Sequence, residues 1–184
     1  MRRRKLLTTI AVVIGAAAGG FVMAGSAGAA SSVDDVQADR FFLMNLATDQ
    51  CADLSVTSTT GNEVVQEPCT RRPTQVWLAQ SLQTEPYFRL VNQSSGLCMD
   101  LVDEVGDGIP VVQARCNPKL VSQHWHFVLG PVPGPLRVVN RALGQCLEVK
   151  DGSFAEGTPI QVSTCVDSAP HQVWHKIQPI LEAV

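Results

Sequence analysis

FRLVNQSSGLCMDL (88–101) occurs three times in variant form. FFLMNLATDQCADL (41–54) precedes it and LRVVNRALGQCLEV (136–149) follows it. All three share one template: an apolar strand, an Asn, a turn, a Cys, and an acid two residues beyond the Cys. Asn45, Asn92 and Asn140 are in register, as are Asp53, Asp100 and Glu148. The six cysteines extend the pattern. The first of each pair is Cys51, Cys98 or Cys146, and the second, Cys69, Cys116 or Cys165, follows after 18, 18 and 19 residues. The three tryptophans keep the same period and each has a Gln two positions before it: TQVW (74–77), SQHW (122–125) and HQVW (171–174). Three copies at a fixed period define a repeat architecture.

Within a copy, short apolar runs alternate with turn residues. In the second, YFRLVN, LCMDLV, IPVVQARC and QHWHFVLG read as strands, with QSSG and DEVGDG as turns. Gly and Pro interrupt every stretch long enough for a helix, and no apolar spacing of three and four persists. Pro86 separates the first two copies and PVPGP (131–135) the last two. The expected fold is all-β, with about twelve strands in repeats of about 40–86, 87–135 and 136–180. A propeller needs at least four blades. Three four-stranded copies fit a β-trefoil, a barrel capped by hairpins with pseudo-threefold symmetry.

The first thirty residues read as a secretory signal peptide. MRRRKLL supplies a positive start, an apolar Ala/Gly-rich run follows, and Ala27-Gly28-Ala29 offers a small-x-small cleavage site. The twin Arg3-Arg4 also resembles a twin-arginine signal. SSVDDVQAD (31–39) is a polar lead-in. The leader holds four of the fourteen Lys and Arg and no acid, which leaves ten basic against seventeen acidic residues in the mature chain. That balance repels a phosphate backbone and excludes nucleic acid as a partner. An exported chain with six Cys and no CxxC is expected to oxidise rather than bind metal. Six Cys allow fifteen connectivities. If the copies are equivalent, the local solution is Cys51–Cys69, Cys98–Cys116 and Cys146–Cys165.

Over residues 40–180 this combination resembles the ricin B-type lectin domain, the β-trefoil with a triple Gln-x-Trp motif. The resemblance implies that Trp77, Trp125 and Trp174 pack the core. Gln75, Gln123 and Gln172 would bond the framework around them. It implies a binding module for galactose-type or xylan-type glycans with one shallow pocket per copy, and no cofactor, metal or catalytic group. In the family a pocket combines the acid after the first Cys, a Gln four before the second Cys, an aromatic two before it, and an Asn beside the motif Gln. Asp53 and Asp100 match the acid, and Glu148 is one methylene longer. Gln161 matches the Gln, where the other copies have Val65 and Val112; Gln66 and Gln113 are one position off, which on a strand turns the side chain to the other face. The aromatic is replaced by Glu67, Ala114 and Ser163, and the Asn by Thr74, Ser122 and His171.

The third copy therefore offers the fullest carbohydrate-binding set: Glu148, Gln161 and His171, with Phe154 or His171 as the expected stacking face. Asp53 and Asp100 read equally well as framework acids bonded to the motif Gln. His124 and His126, or His171 and His175, could be read as metal pairs, but they flank the Trp motifs and do not make one site. Two functions fit: a secreted carbohydrate-binding module, or a β-trefoil that has lost sugar and acts through a protein partner, as a protease inhibitor does.

Overall fold

The computed structural model describes residues 39–55, 60–103 and 105–179. The expected leader and all but the last residue of the lead-in lie outside them. The first copy forms β1 (Asp39–Asn45), β2 (Gln50–Leu54), β3 (Val64–Pro68) and β4 (Trp77–Ser81). The second forms β5 (Phe88–Asn92), β6 (Cys98–Leu101), β7 (Ile109–Ala114) and β8 (Trp125–Leu129). The third forms β9 (Leu136–Asn140), β10 (Cys146–Val149), β11 (Ile160–Ser163) and β12 (Trp174–Ile177).

Six strands close a ring. β1 pairs β4, β4 pairs β5, β5 pairs β8, β8 pairs β9, β9 pairs β12, and β12 returns to β1, all antiparallel. The other six form the hairpins β2–β3, β6–β7 and β10–β11. This is a β-trefoil, and ring closure removes the exposed strand edges an open sheet would carry. The three disulfides are Cys51–Cys69, Cys98–Cys116 and Cys146–Cys165, one per repeat.

Each marked residue of the repeat has a structural task. The three Trp side chains are 0% exposed in the central core. Each indole N–H donates to the carbonyl just before the acid: Trp77 to Ala52 (3.0 Å), Trp125 to Met99 (3.3 Å) and Trp174 to Leu147 (2.9 Å). A buried indole thus satisfies its one donor while tying barrel to cap. The Asn residues run between repeats. Asn45 Nδ2 donates to the carbonyl of His171, Asn92 to Thr74 and Asn140 to Ser122, at 2.7–2.8 Å. The result is a cycle of three bonds, first repeat to third, second to first and third to second.

One local expectation needs correction. The residues before each Trp are not strand. Pro73–Gln75, Val121–Gln123 and Pro170–Gln172 are 3-10 turns. The tight turn aims the Gln amide back at the hairpin, a direction an extended strand would not give it.

The x position of the second motif is His124, which is buried. Burial pushes its pKa below the ordinary value of 6.5, and the charges of Arg141 and Arg89 push the same way against the bond to Pro118. The ring is satisfied as a neutral imidazole, with Nε2 3.1 Å from the Pro118 carbonyl and Nδ1 3.3 Å from Arg141 Nη1. Protonation would convert the Nδ1 acceptor into a donor facing a guanidinium. His126 is lowered as well, chiefly by burial. Depressed folded-state values mean that the unfolded chain binds protons first. Stability is then full above the ordinary histidine range and falls as pH drops through and below it. We expect the melting temperature to decline below about pH 6.5, with a shallower slope in His124→Gln. An unchanged slope in that variant would exonerate His124.

Candidate functional site

Register places the acid of each repeat opposite one hairpin residue: Asp53 faces Val65, Asp100 faces Val112, and Glu148 faces Gln161. Gln66 and Gln113 face Ala52 and Met99 instead. The single-residue offset therefore takes both glutamines away from the acids. Gln66, fully buried, holds Ser153 and Ala155 of the third repeat through their carbonyls, at 2.7 and 2.9 Å.

In every repeat the motif Gln binds the acid. Gln75 Nε2 lies 2.9 Å from Asp53 Oδ2, Gln123 Nε2 2.8 Å from Asp100 Oδ2, and Gln172 Nε2 2.7 Å from Glu148 Oε2. The other amide hydrogen goes to Pro68, Arg115 or Thr164. The amide oxygen accepts from the turn after the second Cys, at Thr70 and Arg71, Asn117, or Val166. Each Gln thus holds the acid on one side and the disulfide turn on the other.

What else surrounds the acid differs. In the first repeat Arg72 Nη2 lies 2.8 Å from Asp53 Oδ2, and Leu54 N–H donates to Oδ1, leaving Asp53 1% exposed. The carboxylate is sealed by its own chain. In the second, Asp100 accepts from Gln123 and from Leu101 N–H, beside the apolar Val112. In the third, Glu148 Oε1 accepts from Gln161 Nε2 and Ser163 Oγ, each at 2.7 Å, and Oε2 faces His171 Nε2 at 3.5 Å. The extra methylene of Glu148 carries the carboxylate far enough to reach all of them.

Around Glu148 the described residues line an open, shallow cavity of about 490 Å³. Glu148, His171 and Gln172 line one side, Ser163, Thr164 and Ser168 supply hydroxyls, and Val166, Ala169 and Pro170 form an apolar wall. His171 is fixed from two directions. Its carbonyl accepts from Asn45, and its ring lies against Gly152 at φ +61°, where a Cβ would come within 3.3 Å of Nδ1. Gly152 therefore leaves the imidazole its place beside Glu148. Gln161 orients Glu148 from beneath and does not line the cavity. Phe154 does not line it either. It is 69% exposed, its carbonyl accepts from Gln50 of the first repeat at 2.8 Å, and Gln66 clamps the carbonyls on both sides of it.

Two residues that sequence spacing passed over matter here. Arg72 closes the first acid from a position where the second and third repeats have Leu120 and Ala169, each just before the 3-10 turn. Aligning those three turns would have exposed it. Asp107 reaches the third cavity from the second repeat. Its route is topological. Turn glycines bond across repeats in a cycle, Gly61 to Gln113, Gly108 to Val162 and Gly157 to Gln66. Each long hairpin turn is thereby delivered to the next repeat's cap.

Residues 31–114 match the family model described as ricin-type beta-trefoil lectin domain-like. No curated protein matches the chain. Among solved structures, the designed threefold-symmetric protein ThreeFoil aligns at 24% identity and TM-score 0.71, covering 77% of this chain and 99% of its own. The Rhizoctonia solani agglutinin aligns at 17% identity and TM-score 0.68, over 77% of this chain and 96% of that one. A ricin B-like lectin of Macrolepiota procera, solved with lactose, aligns at 20% identity and TM-score 0.66, over 76% and 95%. Residues 31–114 thus resemble the ricin-type beta-trefoil lectin-like family model, and across all three repeats the chain shares the β-trefoil fold of these solved structures.

Proposed function

We propose that the protein is a secreted carbohydrate-binding module with one working pocket, in the third repeat. The supporting observation is Glu148, oriented by Gln161, standing with His171 and Gln172 in the lining of an open cavity. A sugar site needs few placed polar groups and an apolar wall. Here the carboxylate and imidazole meet ring hydroxyls, while Pro170 and Val166 cover the apolar face of the ring in place of an aromatic platform. A lectin of this fold with lactose bound makes galactose-type sugars the first ligands to try, with xylan oligosaccharides second. Asp53 and Asp100 then serve the framework. Three disulfides suit an oxidising, extracellular compartment.

The test is calorimetric titration with galactose, lactose and xylo-oligosaccharides. Binding is expected at one site per chain. Glu148→Gln should weaken it roughly ten- to hundredfold, the worth of a hydrogen bond to a charged group. Phe154→Ala should change it little, because Phe154 stands on the first repeat. No binding by the wild type on these sugars or on a glycan array would sink the proposal and leave the protein-contact reading, which the sealing of Asp53 and the exposed Phe154 favour.

A further inference from the structure

Asp107 is contributed to the third-repeat cavity by the second repeat, and nothing in the Gln-x-Trp pattern assigns it a role. It is held firmly. Its Oδ1 accepts from Gln145 Nε2 at 2.6 Å and from Thr164 N–H at 2.8 Å, and the Thr164 hydroxyl lies 3.0 Å from it. Oδ2 has only that same hydroxyl, at 3.2 Å. Asp107 is exposed, so an oxygen with spare acceptor capacity stands fixed at the rim of a cavity whose floor carries a second carboxylate, Glu148.

Among the described residues, no Lys or Arg lines the cavity. The cation nearest the wall in the hydrogen-bond network, Arg137, donates to the Val166 carbonyl and is paired with Asp167 at 2.9 Å. Inside, the imidazole of His171 faces Glu148 rather than Asp107. The polar lining otherwise consists of hydroxyls and amides, which do not discriminate by charge. A ligand entering here meets a net negative rim.

We infer that Asp107 is a specificity-determining residue that selects sugars bearing a free amine, such as galactosamine or de-N-acetylated amino-sugar chains, over neutral sugars and over uronic acids. The inference rests on the lectin reading of the same pocket. The fixed carboxylate needs no reorganisation to meet an ammonium group, and its charge opposes a ligand carboxylate.

The experiment compares galactosamine, galactose and galacturonate, and in parallel glucosamine, glucose and glucuronate, by titration at low ionic strength and a pH where the amine is protonated. The amine should bind roughly fivefold more tightly than its neutral partner, the scale of a solvent-exposed ion pair, and the uronate more weakly than either. Added salt should compress the order. Asp107→Asn keeps the acceptor for Thr164 and Gln145, and in it the amine-to-neutral ratio should fall to about one. Glu156→Gln removes the same charge from the pseudo-equivalent turn, which packs on the first repeat, and should leave the ratio as it is. Equal binding of amine and neutral sugar by the wild type, or an unaltered ratio in Asp107→Asn, overturns the inference while the lectin reading stands. If no sugar in either series binds, the lectin reading falls and takes this inference with it.

Discussion

Trp174→Ala is expected to destabilise the domain by about 3–5 kcal/mol, the cost of emptying a large aromatic site in a packed core. The side chain is fully buried, so the substitution removes the whole of its apolar burial and leaves a void that the closed barrel around it cannot collapse to fill. It also strands the Leu147 carbonyl, which the indole N–H now satisfies at 2.9 Å. Trp77 and Trp125 occupy the same environment, with the same burial and the same kind of carbonyl partner, so alanine at either should cost a similar amount. Urea unfolding of the three single variants tests this. Agreement within about 1 kcal/mol is the expectation for three sites of equal burial and equal bonding in one core. A loss below that size at any one of them would show that the repeats do not share the core equally. Against a total stability of about 5–15 kcal/mol, such a variant can fail to fold. Trp174→Phe is the gentler companion, keeping most of the ring volume and losing the hydrogen bond.

The fold was readable because its determinants are local and repeated. Each Cys, Trp, Gln and Asn does the same job three times, so spacing alone reveals the period, and the period leaves few architectures. The acid and its cross-strand partner were readable too. A strand alternates faces every residue, so Val65, Val112 and Gln161 can be aligned against Asp53, Asp100 and Glu148 without coordinates. What linear spacing cannot show is the handover of loops between repeats. Asp107 belongs to the second copy and lines the third cavity, while Phe154 belongs to the third and is clamped by Gln50 and Gln66 of the first. Closing the barrel creates both juxtapositions, between residues about forty to one hundred positions apart. Arg72 escaped for a different reason. Its reach to Asp53 depends on the 3-10 turn that follows it, and that turn reads as strand when judged by apolar spacing.

Removing the third disulfide, as Cys146→Ala with Cys165→Ala, should cost about 3 kcal/mol in the chain-entropy account of a loop this size. In a domain of about 150 residues that is roughly 10 °C of melting temperature. The separations of 18, 18 and 19 residues make the entropic part nearly the same for all three bridges. Paired alanine variants of Cys51 and Cys69, or of Cys98 and Cys116, should therefore melt alongside it. Binding separates them. Cys165 lies between Thr164 and Val166, both in the cavity lining, and Val166 N–H donates to the oxygen of Gln172, whose amide holds Glu148. Without the bridge, the wall and the acid lose a shared anchor. Sugar affinity should drop in this variant and stay near wild type in the other two, measured where all three remain folded. An equal drop in all three would mean that the ligand site is not the third-repeat cavity, or that the repeats do not loosen independently. The stability measurement alone could not distinguish those cases, because the symmetry that makes the bridges equivalent in energy hides which repeat binds. Binding reads the one place where the symmetry is broken, the carboxylate that Gln161, Ser163 and His171 surround in the third repeat and that Arg72 seals in the first.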